Sequence, residues 1–234
     1  MTGYMDQANE VLEKLKEKAD PNQLEGMARF GISTERRLGV SVPEMRKIAK
    51  EVGTDHHLAL KLWQTGIAEA MIVAGMIDEP DKVTTQQMDD WVMDFDSWDI
   101  CDQVCMNLFE KTPFAWAKIE QWSRQESEFV KRAAYALIAC LAWHDKIASD
   151  QQFIDLLPLI AREADDPRNY VKKAVSWALR NIGKRNPHLN QIALQTAQEL
   201  AEMDSKTARW IARDVQRDLT SEVTRKRLAK RSTQ

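Results

Sequence analysis

The sequence predicts an all-α protein, and three observations lead to this fold class. Its 234 residues include only 8 glycines and 7 prolines, and the usual turn signals of β-hairpins are missing. Ala, Leu, Glu, Lys, Arg and Met dominate the composition, and all of them are good helix formers. Apolar residues recur at helical spacing, as Ala8, Val11, Leu12 and Leu15 do near the N-terminus. With 44% apolar and 29% charged residues, the chain is expected to be an ordinary soluble globular protein.

About a dozen helices are expected to follow one another, joined by turns that are too short to be domain linkers. Capping residues and prolines mark many of the helix starts: Pro43 stands in a first turn, Asp55 and Asp150 are caps, and Asp166-Pro167 and Asn186-Pro187 each open a helix. The expected helices cover about residues 5–19, 24–30, 43–52, 58–63, 67–77, 84–93, 98–111, 114–122, 126–143, 153–164, 169–184, 189–203 and 206–219.

The second half of the chain contains an internal repeat with a spacing of 41 residues. Residues 128–134 and 169–175 each contain an aromatic residue, a valine, two basic residues and two small ones, and residues 206–212 form a weaker third copy. A period of about 40 residues with two helices per unit is typical of a HEAT-like α-solenoid of stacked antiparallel helix pairs. The alternative is a generic helical bundle with coincidental similarity. A single domain is expected over residues 1–234, with a helical cap over about 1–30 and a basic tail over about 220–234.

Cysteine usage and the N-terminal residues predict a cytoplasmic protein that contains no metal or cofactor. The three cysteines are too few for a disulfide framework, and the N-terminus lacks the basic and apolar regions of a signal peptide. Cys101 and Cys105 share a helix face, but no further ligand of suitable spacing stands near them. No apolar run approaches the roughly 20 residues of a membrane span. We therefore expect no membrane partner, and we expect the protein to be a monomer.

A tryptophan and an aspartate stand four residues apart in the segment from Phe95 to Cys105. If this segment is helical, Trp98 and Asp102 lie on one face, one turn apart, and Ser97 or Asp96 caps the helix. A flat π-surface beside a carboxylate is suited to contact with a sugar or a cationic base. The alternative interpretation is that Trp98 belongs to the core and Asp102 is one more solvated acid.

Charge is unevenly distributed along the chain, although the net charge of −3 by itself argues against a nucleic-acid-binding protein. Residues 81–110 hold eight acids and one base, whereas residues 170–190 hold five bases and no acid. Basic residues around Trp177 could bind phosphates and pack against sugars. The alternative is a solvated helix face. The five bases are Lys172, Lys173, Arg180, Lys184 and Arg185.

These features, in this order, resemble the AlkD-like family of DNA alkylation repair glycosylases. The resemblance covers roughly residues 25–220 and rests on four features that recur in order at similar spacing. They are the segment Gly39-Val-Ser-Val-Pro-Glu-Met-Arg46, the stretch Phe95-Asp-Ser-Trp-Asp99 with the spacing Trp98-x-x-x-Asp102, the helix of Arg132 and the helix of Trp177.

The resemblance implies that a concave face of the solenoid holds a DNA duplex. In the family, an aspartate and two tryptophans lie at the modified nucleotide and an arginine contacts the DNA backbone; these correspond to Asp102, Trp98, Trp177 and Arg132. The arginine assignment stays open in register, because Lys131 is adjacent and the next repeat has a lysine at the equivalent position. The expected DNA-binding residues are Lys131, Lys172, Lys173, Arg180, Lys184 and Arg185.

The implied activity is hydrolysis of the N-glycosidic bond of positively charged N3- or N7-alkylated purines in duplex DNA, as in base excision repair. Loss of such a purine builds positive charge on the deoxyribose, which a carboxylate can stabilise. Trp98 and Trp177 would offer cation–π contact, and Arg132 would fix the adjacent phosphate. Whether the base is flipped into a pocket or stays in or near the stack is open. The alternative function is a non-catalytic HEAT-like module that binds DNA or a protein partner.

Overall fold

The computed structural model describes residues 2–231, and all regular elements in that range are helical, which confirms the all-α prediction. Within these described residues, fifteen α-helices follow one another, and a 3-10 turn over Phe109–Lys111 comes after the seventh. They are α1 (Thr2–Glu17), α2 (Pro21–Arg29), α3 (Val42–Val52), α4 (His56–Trp63), α5 (Ala68–Ile77), α6 (Thr85–Met93), α7 (Trp98–Asn107), α8 (Ala115–Ser123), α9 (Glu128–His144), α10 (Asp150–Ile154), α11 (Leu157–Arg162), α12 (Asn169–Gly183), α13 (Pro187–Glu202), α14 (Lys206–Leu219) and α15 (Glu222–Arg231).

Most helix ends lie within a few residues of the predicted positions, because capping residues set them. The Asp55 side chain accepts a hydrogen bond from the Leu58 amide at the start of α4, as an N-cap carboxylate should. Gly53 ends α3 with a φ of 78°, a left-handed conformation that favours glycine. The prediction for α14 agrees with the structure at both ends.

The predicted helix over residues 153–164 with Asp150 as its cap was wrong. Ser149 is the N-cap: its hydroxyl accepts from the Gln152 amide, and the Gln152 side chain accepts from the Ser149 amide in return. The helix then breaks into α10 and α11. The break arises because Pro158 has no amide hydrogen and its ring would clash with the carbonyl of Ile154, the last residue of α10.

The described chain forms two compact units that divide between Phe114 and Ala115, here called the N-terminal unit and the C-terminal unit. The prediction of one domain over residues 1–234 concerns both units together and stays a prediction. In the N-terminal unit, α5 is almost wholly buried against α3, α4 and α7, and all of its residues except Glu69 are apolar. The same unit contains a cluster of aromatic rings, in which Trp63 and Trp91 stack with centroids 3.8 Å apart.

In the C-terminal unit, the internal repeat appears as helices packed in succession. The three sequence copies begin α9, α12 and α14, and α12 packs against both of the other two. Phe129 and Tyr170 occupy equivalent positions in the first two copies, and their rings stack with centroids 5.4 Å apart. α8 packs on α9, α11 packs on α12 and α13 packs on α14, so each copy has a partner helix from the chain that precedes it. This arrangement of helix pairs is the one that the 41-residue period predicts.

Candidate functional site

A buried ion pair holds the start of α7, where the predicted site begins. The Arg37 guanidinium donates to both carboxylate oxygens of Asp99, at 2.6 and 3.1 Å, and to the Ser97 hydroxyl at 3.1 Å. Ser97 is the N-cap residue by position, as predicted, but its hydroxyl donates to Asp99 at 2.8 Å and accepts no amide hydrogen of the helix. The rotation of α7 about its axis is therefore fixed by charge-assisted hydrogen bonds from a residue 62 positions away.

Trp98 and Asp102 are the first and fifth residues of α7, and both are half-buried. The Trp98 indole N–H donates to the carbonyl oxygen of Phe30 at 3.0 Å, which fixes the ring from the end of α2. The structure thus places neither side chain fully inside the core nor fully in solvent. A carboxylate and an aromatic ring stand on one partly exposed helix face, as contact with a nucleotide would require.

The segment from Gly39 to Arg46 is largely structural in its first half. Gly39 has a φ of 80°, and a Cβ at this position would lie 2.2 Å from the Asp20 carbonyl oxygen. The carboxylate of Glu69, which is fully buried, accepts hydrogen bonds from the amides of Leu38, Gly39 and Val40 at distances from 2.8 to 3.3 Å. Position 39 therefore requires a glycine, because the Asp20 backbone leaves no room for a Cβ.

The other end of that segment places a cation beside α7. Arg46 is exposed on α3, and its guanidinium donates to the side-chain oxygens of Gln103 and Asn107, at 3.4 Å each. These residues lie one and five positions after Asp102. Arg46, Lys50 and Asn107 also line a pocket of about 320 Å³. Sequence reasoning assigned no role to Arg46, because the packing of α3 against α7 is not visible in local spacing.

Arg132 and Lys131 are both buried near the start of α9, with 6% and 8% of their surface exposed. Arg132 donates to the backbone carbonyl of Tyr170 at 2.8 Å, and so joins α9 to α12. Lys131 donates to Glu163 at 2.6 Å and lies 3.8 Å from Asp166. Burial acts to raise the pKa of Asp166, but hydrogen bonds from Arg168 and the nearby cations outweigh it and lower that pKa below its usual value.

Two of the five bases of residues 170–190, Arg180 and Lys184, pair with acidic residues of another helix, although residues 170–190 themselves contain no acid. Arg180 lies 3.5 Å from Asp214 and 3.4 Å from Asp218, and Lys184 lies 2.5 Å from Asp218. Both aspartates belong to α14, the next helix of the repeat. Net positive charge on this side of α12 is therefore smaller than the sequence count of five bases and no acid indicates.

The remaining three bases of this segment have different surroundings. Arg185 donates to the carbonyls of Ala142, Asp145 and Ala148, at 3.0, 2.7 and 2.9 Å, so it closes the loop after α9. The Lys172 ammonium lies 5.0 Å from the centroid of the Trp210 ring. Lys173 is exposed. A role of these residues in DNA binding stays a prediction.

Trp177 is half-buried on α12 and lines a small pocket with Trp143, Asn181, Lys184 and Arg227. Trp98 and Asp102 belong to the N-terminal unit, whereas Arg132 and Trp177 belong to the C-terminal unit. That all four meet at one nucleotide stays a prediction. Within residues 2–231, no group of three or more His, Cys, Asp or Glu side chains is arranged to hold a metal ion, and no helix there is both long and apolar enough to cross a membrane.

Known proteins that are similar to this chain share its helical-repeat fold. A family model described as DNA alkylation repair enzyme matches residues 11–218. A solved structure described as "a new family of proteins related to the HEAT-like repeat DNA glycosylases with affinity for branched DNA structures" superimposes with a TM-score of 0.78 at 21% identity, covering 94% of this chain and 95% of that one. This likeness shows the fold and confirms the prediction of a HEAT-like repeat protein.

A designed armadillo repeat protein in complex with the peptide (KR)4 aligns with a TM-score of 0.38 at 17% identity, covering 81% of this chain and 80% of that one. No protein with a curated description matches the chain.

Proposed function

Because the chain belongs to the family of DNA alkylation repair enzymes, we propose that it is a DNA glycosylase that excises positively charged N3- or N7-alkylated purines from duplex DNA. The observation that supports this function best is the half-buried pair of Trp98 and Asp102 on the anchored helix α7. A half-buried carboxylate keeps access to a ligand while part of its hydration is removed, which strengthens its interaction with a developing positive charge.

The proposed chemistry needs few groups because the alkylated purine already carries a positive charge and leaves without a strong general acid. As the glycosidic bond lengthens, positive charge develops on the deoxyribose. Asp102 would stabilise that charge and orient a water molecule for attack on C1′. Trp98, whose ring is fixed by its hydrogen bond to Phe30, would offer a π-face to the cationic nucleotide.

Phosphate contacts would come from cations beside the site. Arg46 is exposed next to α7, and its guanidinium faces the side chains of Gln103 and Asn107 at distances long enough to be exchanged for a phosphate. Arg132 and Trp177 would contribute from the C-terminal unit, as the family resemblance implies. Arg132 already donates to the Tyr170 carbonyl, so Arg46 is the better placed of the two to contact a phosphate.

The assay is release of 7-methylguanine and 3-methyladenine from methylated duplex DNA. We expect release by the wild type and a loss of roughly a hundredfold or more in rate for Asp102→Asn, because removal of one preorganised electrostatic group costs about that much. Asp96→Asn is the matched control: Asp96 is exposed in the same segment but precedes the helix, and its replacement should leave the rate unchanged. If the wild type releases neither base above the spontaneous rate, the glycosylase proposal is wrong.

A second function is favoured by one observation, the similarity in fold to a protein described as having affinity for branched DNA structures. We propose as the alternative that this chain binds such DNA without cutting the glycosidic bond. Wild type and Asp102→Asn would then bind branched DNA equally well, and neither would release a base. Faster release by the wild type than by Asp102→Asn would exclude this alternative.

A further inference from the structure

A pocket of about 220 Å³ in the C-terminal unit is lined in part by Trp143 and Arg227, two residues that the proposed reaction does not use. Two tryptophans, Trp143 and Trp177, line it together with Lys184 and Arg227. Its size is below the range of about 300–1,000 Å³ that is typical of sites for drug-sized ligands. The pocket is therefore suited to a single ring system with a charged group attached.

Trp143 stands in the last turn of α9 with 46% of its surface exposed, which is unusual for so large an apolar side chain. Its ring stacks on that of His144, with centroids 4.5 Å apart and 25° between the planes. The loop that follows is held by Arg185, which donates to the carbonyls of Asp145 and Ala148. The exposed ring is thus presented from a fixed backbone.

The other side of the pocket is one face of α12, where Trp177, Asn181 and Lys184 follow at helical spacing. The Asn181 side-chain amide donates to the Ala139 carbonyl at 2.9 Å, which fixes this face against α9. Arg227 reaches the pocket from α15, where it is exposed. Arg227 and Lys184 place their cationic groups beside the two aromatic rings, and the charge of Lys184 is partly balanced by Asp218 at 2.5 Å.

We propose that this pocket receives an unpaired nucleotide of a DNA strand. The base stacks on Trp143, and the neighbouring phosphates contact Arg227 and Lys184. Aromatic surfaces interleaved with cations are the means by which proteins bind unpaired nucleotides without reading their sequence. A base that is stacked inside a duplex has no free face for the Trp143 ring, so a nucleotide must leave the stack to enter. This inference rests on the proposed function in that DNA is the ligand.

The test measures affinity by fluorescence anisotropy for two labelled duplexes of the same sequence, one fully paired and one with a single bulged nucleotide. We expect the wild type to prefer the bulged duplex, and Trp143→Ala to reduce that preference by about tenfold, since stacking of one base is lost. Trp143→Phe should keep most of the preference because an aromatic face remains. Ile147→Ala is the control, since Ile147 is 97% exposed nearby but does not line the pocket.

The outcomes separate this inference from the proposed function. If the wild type binds both duplexes equally well, or if Trp143→Ala prefers the bulged duplex as strongly as the wild type does, the pocket assignment is wrong while DNA binding stands. An equal loss in Ile147→Ala would also overturn it, since exposed apolar surface would then be responsible. Complete displacement of the bulged DNA by an equal concentration of thymidine monophosphate would also overturn the inference, because the pocket would then be a site for free nucleotides. If the wild type binds neither duplex, both proposals fall.

Discussion

The starts of α9 and α12 have nearly the same sequence pattern, yet the structure uses their basic residues in different ways. Lys131 and Arg132 of α9 are buried and joined to neighbouring elements by an ion pair and a hydrogen bond. At the equivalent positions of α12, Lys172 lies over the ring of Trp210 and Lys173 is exposed. A shared position in the repeat therefore does not give a shared role.

The basic residues of the two copies differ in burial and contacts because the segment that packs on each copy offers different partners. Lys131 finds Glu163 at 2.6 Å, but Asp204, 41 residues after Glu163, points into solvent and lies 3.7 Å from Arg209 instead. Arg132 reaches the Tyr170 carbonyl of the next repeat, and no such contact is available to the exposed Lys173. Charged side chains of a repeat become structural where the following unit supplies a partner, and remain available for ligands where it does not.

The largest effect is expected from Arg132→Ala, which breaks the link between α9 and α12. It leaves the Tyr170 carbonyl without this charged donor and removes buried aliphatic packing, so we expect a loss of about 3 kcal/mol in the free energy of unfolding. The matched variant Lys173→Ala should change it by at most about 0.5 kcal/mol, as for other surface positions. Urea unfolding followed by circular dichroism measures both. Equal losses in the two variants would contradict the distinction between the copies.

A smaller effect, with a defined dependence on pH, is expected from Lys131→Met. The loss at pH 7 should be about 1–2 kcal/mol, below the usual 3–5 for a broken buried pair because Arg162 and Arg168 still face the carboxylates of Glu163 and Asp166. The pKa of Asp166 is lowered in the folded protein, so this residue stabilises the fold above its unfolded pKa of 3.8, and that stability is lost as the pH falls further.

Lys131 is one of the causes of that lowered pKa, so Lys131→Met should lose less stability than the wild type between pH 5 and pH 3. Lys172→Met, at the equivalent position, should follow the wild type over the same range. Urea unfolding at several pH values measures this. A curve for Lys131→Met that is parallel to that of the wild type would show that Lys131 and Asp166 do not interact.

Local spacing was sufficient to predict most of the helices, because caps act over three or four residues. Ser205 accepts from the Ala208 amide at the start of α14, and the prediction for that helix was right at both ends. The helix over residues 153–164 was wrong because Pro158 was not recognised as a break. In the same way, spacing of four residues correctly placed Trp98 and Asp102 on one helix.

The surroundings of the candidate site could not be predicted, since they depend on contacts between residues far apart in sequence. Arg37 holds α7 through Asp99, and Glu69 holds the backbone around Gly39; neither contact has a local signal. Counting charges along residues 170–190 found no acid, whereas the packing of α14 supplies Asp214 and Asp218 to Arg180. A basic segment in a repeat protein has to be judged with the helix that packs on it.

Replacement of Lys173 is expected to have the smallest effect on stability. Lys173 is therefore the best residue with which to test whether the exposed basic residues at the start of α12 bind DNA. If its ammonium neutralises one phosphate, Lys173→Ala should lower by about 0.9 the slope of log affinity against log salt concentration for duplex DNA, with a loss of affinity of a few-fold. Lys16→Ala is the control, because Lys16 is exposed on α1 and paired with Glu13 there. Anisotropy titrations at four or more salt concentrations measure the slopes. A slope for Lys173→Ala equal to that of the wild type would mean that the exposed lysine is only solvated and contacts no phosphate.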